Sequence, residues 1–319
     1  MEITLHLGAH RCASTSFQWY MRKNAVRLAA SGIGFWGPQQ TRMGLLEGIF
    51  PSPGPMTAAK QAARAKGRIA LAIAKAEETG IQHLIISDEN MIGAPRRNLR
   101  DMRLYPGIGE RMARYCDALS GRAVRAVISV RAQDAWWASN IAFAVARGAQ
   151  LPSRVQLAHI AASTRNWRDV IIDLACALPE AHLMVMPHEM FASVPERRLA
   201  LMLNCADMPR AHAREWLNRS PDLPALRAAL MERGSDPALL PQGHGLWQPF
   251  GREECAALRE AYADDLYWLR AGADGLATLI EEHGQDQAGR TPPIIVQTRG
   301  QEHDQEGARR LAQAGRGGA

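Results

Sequence analysis

Cysteine is sparse and scattered along this 319-residue chain. Cys12, Cys116, Cys176, Cys205 and Cys255 are odd in number and include no C-x-x-C pair. That argues against a disulfide framework and against a structural zinc site. The histidines lack H-E-x-x-H or similar spacing, so no metal is expected. No apolar run approaches the roughly 20 residues that span a bilayer. The N-terminus enters a strand pattern at once, and His10 and Arg11 break any apolar run that a signal peptide would need. The reading is a cytoplasmic protein with no transmembrane segment.

Hydrophobic residues make up 47% of the chain and charged residues 22%, the balance of a globular protein with a sizeable core. The formal charge is +6, and arginine greatly outnumbers lysine. This excess suits an anionic ligand. It is too diffuse to argue a nucleic-acid partner, which calls for a clustered basic footprint.

Ile3, Leu5 and Leu7 alternate with Thr4 and His6, the period of a strand. From Thr15 the spacing turns helical: Phe17, Tyr20, Met21 and Leu28 share a face, and Gly32 is a C-terminal stop. Gly48 to Met56 is a Pro/Gly-rich loop, and Ala58 to Glu78 an Ala-rich helix. Further strands are expected at Ile81 to Asn90, Ala123 to Asp134 and Ala181 to Phe191. Between them lie helices, notably from Val155 to Leu178, with Trp167, Val170, Ile171 and Leu174 on one face. A last helix begins at Arg252. Strands alternating with helices predict an α/β fold with a central, mainly parallel sheet covered on both faces, over residues 1–284. Residues 285–319 shift to Gln, Gly, Arg and charged residues, the composition of a disordered tail.

In parallel sheets, ligands bind beyond the carboxyl ends of the strands. The polar tips Gly8 to Arg11, Ser87 to Asn90 and Arg131 to Asp134 should therefore converge on one crevice. The first tip opens a helix on Ser14, Thr15 and Ser16. Unpaired N–H groups and the helix dipole there suit an anion, with Arg11 adding a charged fork. The same stretch would also serve as a plain turn in which Ser14 or Thr15 caps the helix. It is not a standard phosphate loop, since Ala13 and Ser14 replace the second glycine and the lysine of G-x-x-x-x-G-K-[ST]. If Ala13 must be left-handed, alanine costs about 1 kcal/mol there.

Arg131 ends a strand and Ser139 follows eight residues later, two helical turns on, so both can grip one phosphate. Alone, the pair is also an exposed arginine and an ordinary helical serine. Asp88 and Glu89 offer a carboxylate as general base, or a cap for the next helix. His10 is either a second base or polar filling. Trp136 and Trp137 could stack on a base, but core is the favoured reading for at least one.

Together these residues resemble the family of sulfotransferases that use 3′-phosphoadenosine 5′-phosphosulfate (PAPS). The family's 5′-phosphosulfate loop, [K/R]-[S/T/C]-G-[T/S]-[T/S], is similar to Arg11-Cys12-Ala13-Ser14-Thr15 after Gly8, and Ser16-Phe17-Gln18 continues it as in bacterial members. An arginine at a later strand end with a serine eight residues on, binding the 3′-phosphate, matches Arg131 and Ser139. "ISDENMIG" and "VMPHEMF" are weaker echoes. The resemblance covers roughly residues 1–275. It implies a P-loop-like three-layer fold and PAPS as cosubstrate without a metal. Gly8, Arg11, Cys12, Ala13, Ser14, Thr15, Ser16, Arg131 and Ser139 would hold PAPS, and Glu89 or His10 would act as base beside Arg11. The acceptor, a saccharide, lipid or small metabolite, would meet loops at Thr41 to Met56 and Gln242 to Gly251. The sequence does not reveal the oligomeric state. Two rivals stand beside this reading: an inactive descendant that binds a nucleotide or carbohydrate, favoured by Ala13, and an ATP-dependent kinase using Asp88 for magnesium.

Overall fold

A computed structural model of the chain describes residues 1–281, which form one compact unit. The tail expected from 285 to 319 lies outside the described residues. Six strands form one sheet: β1 (Glu2–Gly8), β2 (Ile33–Trp36), β3 (His83–Ser87), β4 (Ala123–Val130), β5 (His182–Pro187) and β6 (Thr278–Leu279). Their order is β2-β3-β1-β4-β5-β6 and every pairing is parallel.

The alternation read in β1 separates two cores. Ile3, Leu5 and Leu7 join Leu84, Ile86, Ala126, Ile128 and Val130 on one face, under the Ala58–Glu78, Ile108–Ala118 and Trp167–Ala177 helices. Val127, Ile85, Met184 and Met186 face the other side, against Phe17, Tyr20, Met21 and Leu28. Helical spacing after Thr15 thus put the right four side chains into the second core. From Ile3, Leu84 and Ala126 onward every side chain of β1, β3 and β4 is buried on one face or the other, and apolar burial of this kind drives the fold. Trp136 and Trp137 are both core residues, at 0% and 1% exposure, so neither offers a face to a base.

Several expected boundaries move. Two short edge strands, β2 and β6, were not expected; at four and two residues they carry too little pattern to read. The strand read as Ile81 to Asn90 spans only His83–Ser87, because Asp88 caps a 3₁₀ turn from Glu89 to Ile92. The Ala123 strand stops at Val130, and the Ala181 strand at Pro187. The helical stretch read from Val155 to Leu178 consists of two helices, Arg154–Ala161 and Trp167–Ala177, each opened by its own capping box at Ser153 and Asn166.

The sheet order places the C-terminal ends of β3, β1 and β4 side by side. Gly8 closes β1 at φ +71°, where the register against β4 slips by one residue. A Cβ on Gly8 would lie 3.3 Å from that of Ser14 and 3.4 Å from that of Glu89. Glycine there lets the loop after β1 fold back across both.

Candidate functional site

A cavity of about 660 Å³ opens over the three strand ends. His10, Arg11, Ala13, Ser14 and Thr15 line it from the β1 loop, Glu89 from β3, and Arg131 and Ser139 from β4 and the Gln133–Val145 helix after it. The three polar tips therefore meet, as their position in a parallel sheet demands.

The loop from Ala9 to Ala13 is wound tightly, with Arg11 and Ala13 both left-handed at φ 62° and 61°. Ala13 is itself the N-cap of the Ser14–Lys23 helix, and no side chain caps that helix. This answers the capping alternative: neither Ser14 nor Thr15 serves as the cap. The first turn contains no acid, so the positive end of the helix faces the cavity unmatched.

Arg11 is held by hydroxyls alone. Its Nε donates to Ser139 Oγ at 2.9 Å and its Nη2 to Ser220 Oγ at 3.1 Å, with the guanidinium 4.6 Å from the centre of the Phe143 ring. Arg131 donates from Nη1 to the Arg11 carbonyl at 2.9 Å. Among the described residues neither arginine has a carboxylate partner, and a third, Arg147, lies 3.5 Å from the centre of the same Phe143 ring. Burial, together with Arg131 and Arg147, pulls the Arg11 pKa down to about 10, leaving it charged at neutral pH. Crowded cations without counter-charge are the signature of an anion site.

Two residues expected in the site are used elsewhere. Cys12 is fully buried, its N–H donates to Ala9 at 3.2 Å, and burial raises its thiol to about 12, which makes it inert packing. Ser16 spends its hydroxyl on Leu217, accepting that residue's N–H at 2.9 Å. It braces the segment that forms the far wall of the cavity, where Leu217, Asn218 and Ser220 sit.

The two candidate bases differ. Glu89 accepts from Gln18 at 2.7 Å and from Arg42 at 3.0 Å, and its carboxylate retains lone pairs for a substrate proton. His10 has both ring nitrogens engaged, Nδ1 with the Tyr105 hydroxyl at 3.0 Å and Nε2 with the Asn90 amide at 3.2 Å. Burial lowers its pKa despite the nearby Glu89. His10 is thus a buttress with no free ring nitrogen, whereas Glu89 keeps accepting capacity toward the cavity. Asp88 is fully committed: it caps the 3₁₀ turn through Asn90 N–H at 3.0 Å and binds Thr41 at 2.7 Å and Arg42 at 2.6 Å. It is a poor magnesium ligand in this arrangement.

Sequence reasoning missed Arg42, Ser220 and His188. The last lines the cavity with Nδ1 unpartnered among the described residues, and burial beside Arg131 and Arg198 drives its pKa to about 3. Arg42 and Ser220 reach the site from segments with no local pattern. Of the loops expected to meet an acceptor, only Leu246 reaches the cavity wall, while Arg42 reaches Glu89. No model of a known protein family matches this chain, and no curated protein matches it in sequence. Among the described residues no helix is long and apolar enough to cross a membrane.

Proposed function

We propose that this chain transfers a sulfuryl group from PAPS to a hydroxyl or amine of an acceptor. The observation that carries the proposal is Arg11 and Arg131, free of any carboxylate partner among the described residues, standing with Ser139 over one cavity at the positive end of an uncapped helix. Strand order β2-β3-β1-β4-β5, with the anion loop after the central first strand, supports a P-loop-like architecture for the same domain.

Two anionic groups need two grips. The loop from Arg11 to Thr15 presents N–H groups, hydroxyls and a fork to the 5′ end. Arg131 and Ser139 supply the grip for a 3′-phosphate. Transfer forms a bond from the acceptor oxygen or nitrogen to sulfur while the bond from sulfur to the 5′-phosphate oxygen breaks. Glu89 takes the acceptor's proton. Arg11 and the first-turn N–H groups stabilise the charge that grows on the departing phosphate oxygen. Positioning and fixed positive charge supply most of the acceleration, as in phosphoryl transfer.

Calorimetric titration with adenosine 3′,5′-bisphosphate, ADP and ATP, without magnesium, tests the proposal. Preferential binding of the bisphosphate is expected. Preference for ATP, or no binding of any of the three, would overturn it.

A further inference from the structure

One edge of the sheet has little to guard it. β2 pairs with β3 alone, so along its outer side alternate N–H and C=O groups have no strand partner among the described residues. Exposed sheet edges are commonly protected by charge, proline or a bulge. β2 reads Ile33-Gly34-Phe35-Trp36, with neither charge nor proline, and its register against β3 runs unbroken. Its short length is its one protection.

A groove of about 830 Å³ lies against that edge, and it shares no lining residue with the candidate site. Trp36 lines it from β2, Ala72, Lys75 and Ala76 from the Ala58–Glu78 helix, and Met43 and Glu47 from the turn after β2. Arg68 ties the two walls together, donating from Nε to the Leu45 carbonyl at 3.2 Å and from Nη2 to the Glu47 carbonyl. Two large apolar side chains stand open on these walls. Met43 is 81% exposed, and Leu71, one helical turn from both Arg68 and Lys75, is 75% exposed. The walls also carry opposite charges that leave each other alone: the Lys75 and Glu47 side chains make no hydrogen bond or ion pair among the described residues.

We propose that this edge is a homodimer interface. A second copy of the chain adds its own β2 antiparallel to this one, the arrangement a two-fold axis gives identical strands lying side by side. The sheet then continues across the axis, Met43 and Leu71 are covered, and Lys75 faces the partner's Glu47. An isologous interface makes every unlike contact twice. One axis therefore satisfies both unpaired charges in both copies, which is the charge complementarity that favours a second copy over an unrelated peptide strand. The inference is independent of sulfuryl transfer.

Sedimentation equilibrium of the full chain, over about 1–100 µM, is the test. The parent should reach twice the mass of one chain. Lys75→Glu, Glu47→Lys and Leu71→Arg, all at exposed positions, should each weaken association about tenfold or more. Circular dichroism checks that each variant keeps the parent's fold. Mixing Lys75→Glu with Glu47→Lys should restore association, because both charge pairs in that heterodimer again join opposite signs. The double swap in one chain should restore it as well. A parent that stays monomeric throughout the range, or that assembles beyond a dimer, would overturn the proposal. So would parent-like association of any of the three single variants, or a mixture of the two charge variants that stays monomeric.

Discussion

Arg11 Nε donates to Ser139 Oγ across 2.9 Å, and that oxygen lies 2.5 Å from Ser220 Oγ. A cation from the β1 loop is thus aimed by a serine on the helix after β4, and both face the same cavity. Hydroxyls are neutral acceptors, and a phosphate oxygen competes for the same fork with about twice the strength. Arg11→Ala should therefore abolish sulfuryl transfer. Ser139→Ala should weaken bisphosphate binding about tenfold, the worth of one hydrogen bond to a charged group. Arg131→Ala should chiefly weaken binding as well. Titration of the three variants beside a transfer assay checks all of this, and parent-like behaviour of both Arg11→Ala and Arg131→Ala would show the site to be misassigned.

The loop's backbone makes a separate prediction. Gly8 sits at φ +71°, where an added Cβ would be strained and would press on Ser14 at 3.3 Å, so Gly8→Ala should cost about 1–2 kcal/mol and shift the loop after β1. Ala13 also sits left-handed. Ala13→Gly removes that strain but adds freedom to the unfolded chain, and the two nearly cancel at about 1 kcal/mol each. Denaturant unfolding should find Gly8→Ala clearly weakened and Ala13→Gly within about 1 kcal/mol of the parent.

Glu89 and His10 separate by what already holds them. Glu89→Gln keeps the size of the side chain and an acceptor for one of Gln18 and Arg42 but cannot accept a proton, and should lower kcat by about 10²–10⁴-fold with little change in bisphosphate affinity. His10 has no free ring nitrogen for a substrate. His10→Gln should leave the pH dependence of kcat with the parent's shape, even if some activity is lost through the Tyr105 contact. Comparison of the two pH–rate profiles decides between them.

How much of this was legible depended on where the signal lies along the chain. The period of two in Ile3, Leu5 and Leu7, and the helical spacing of Phe17, Tyr20 and Met21, are local and set both cores. A parallel sheet then forces the strand tips together, which is why Arg11, Glu89, Arg131 and Ser139 were readable as one site. Ser220 and Arg42 were not. Their roles come from tertiary approach, 209 residues from Arg11 and 47 from Glu89, and no spacing rule records that. Cys12 and Ser16 show the converse: motif position suggested the ligand, but the fold turned one side chain inward and gave the other to Leu217.

Arg198 poses a question of energetics. It is 1% exposed in the second core, 5.5 Å from the centre of the Phe17 ring, with one bond, from Nη2 to the Phe191 carbonyl at 3.3 Å. Its Nε and Nη1 have no partner among the described residues, and burial lowers its pKa only to about 10, so it stays charged at neutral pH. A buried charge without a counter-ion destabilises a fold, and an apolar replacement of similar volume is commonly neutral or stabilising by about 1–4 kcal/mol. Arg198→Met should accordingly melt at or above the parent temperature. It should also bind the bisphosphate more weakly, because a positive charge has gone from beneath the anion loop. Arg198→Lys should keep the affinity. A variant that lost stability and kept affinity would assign Arg198 to packing alone.

Acid should unfold the protein through its buried histidines. Burial lowers the pKa of His6, His10 and His188, the last to about 3, from an ordinary value of 6.5. Between about pH 3 and 6.5 the unfolded chain binds protons at His188 that the folded chain refuses, so its contribution is complete above pH 6.5 and is lost as pH falls toward 3. Asp265 works in the opposite sense: burial raises it from 3.8 to about 6, so it favours the fold below pH 3.8 and loses that contribution as pH rises through 6. Three histidines against one carboxylic acid leave net proton uptake on unfolding across pH 4–6. The melting temperature should fall from pH 7 to pH 5, and His188→Asn should flatten the fall. A melting temperature that rose on acidification would place the balance with Asp265 instead.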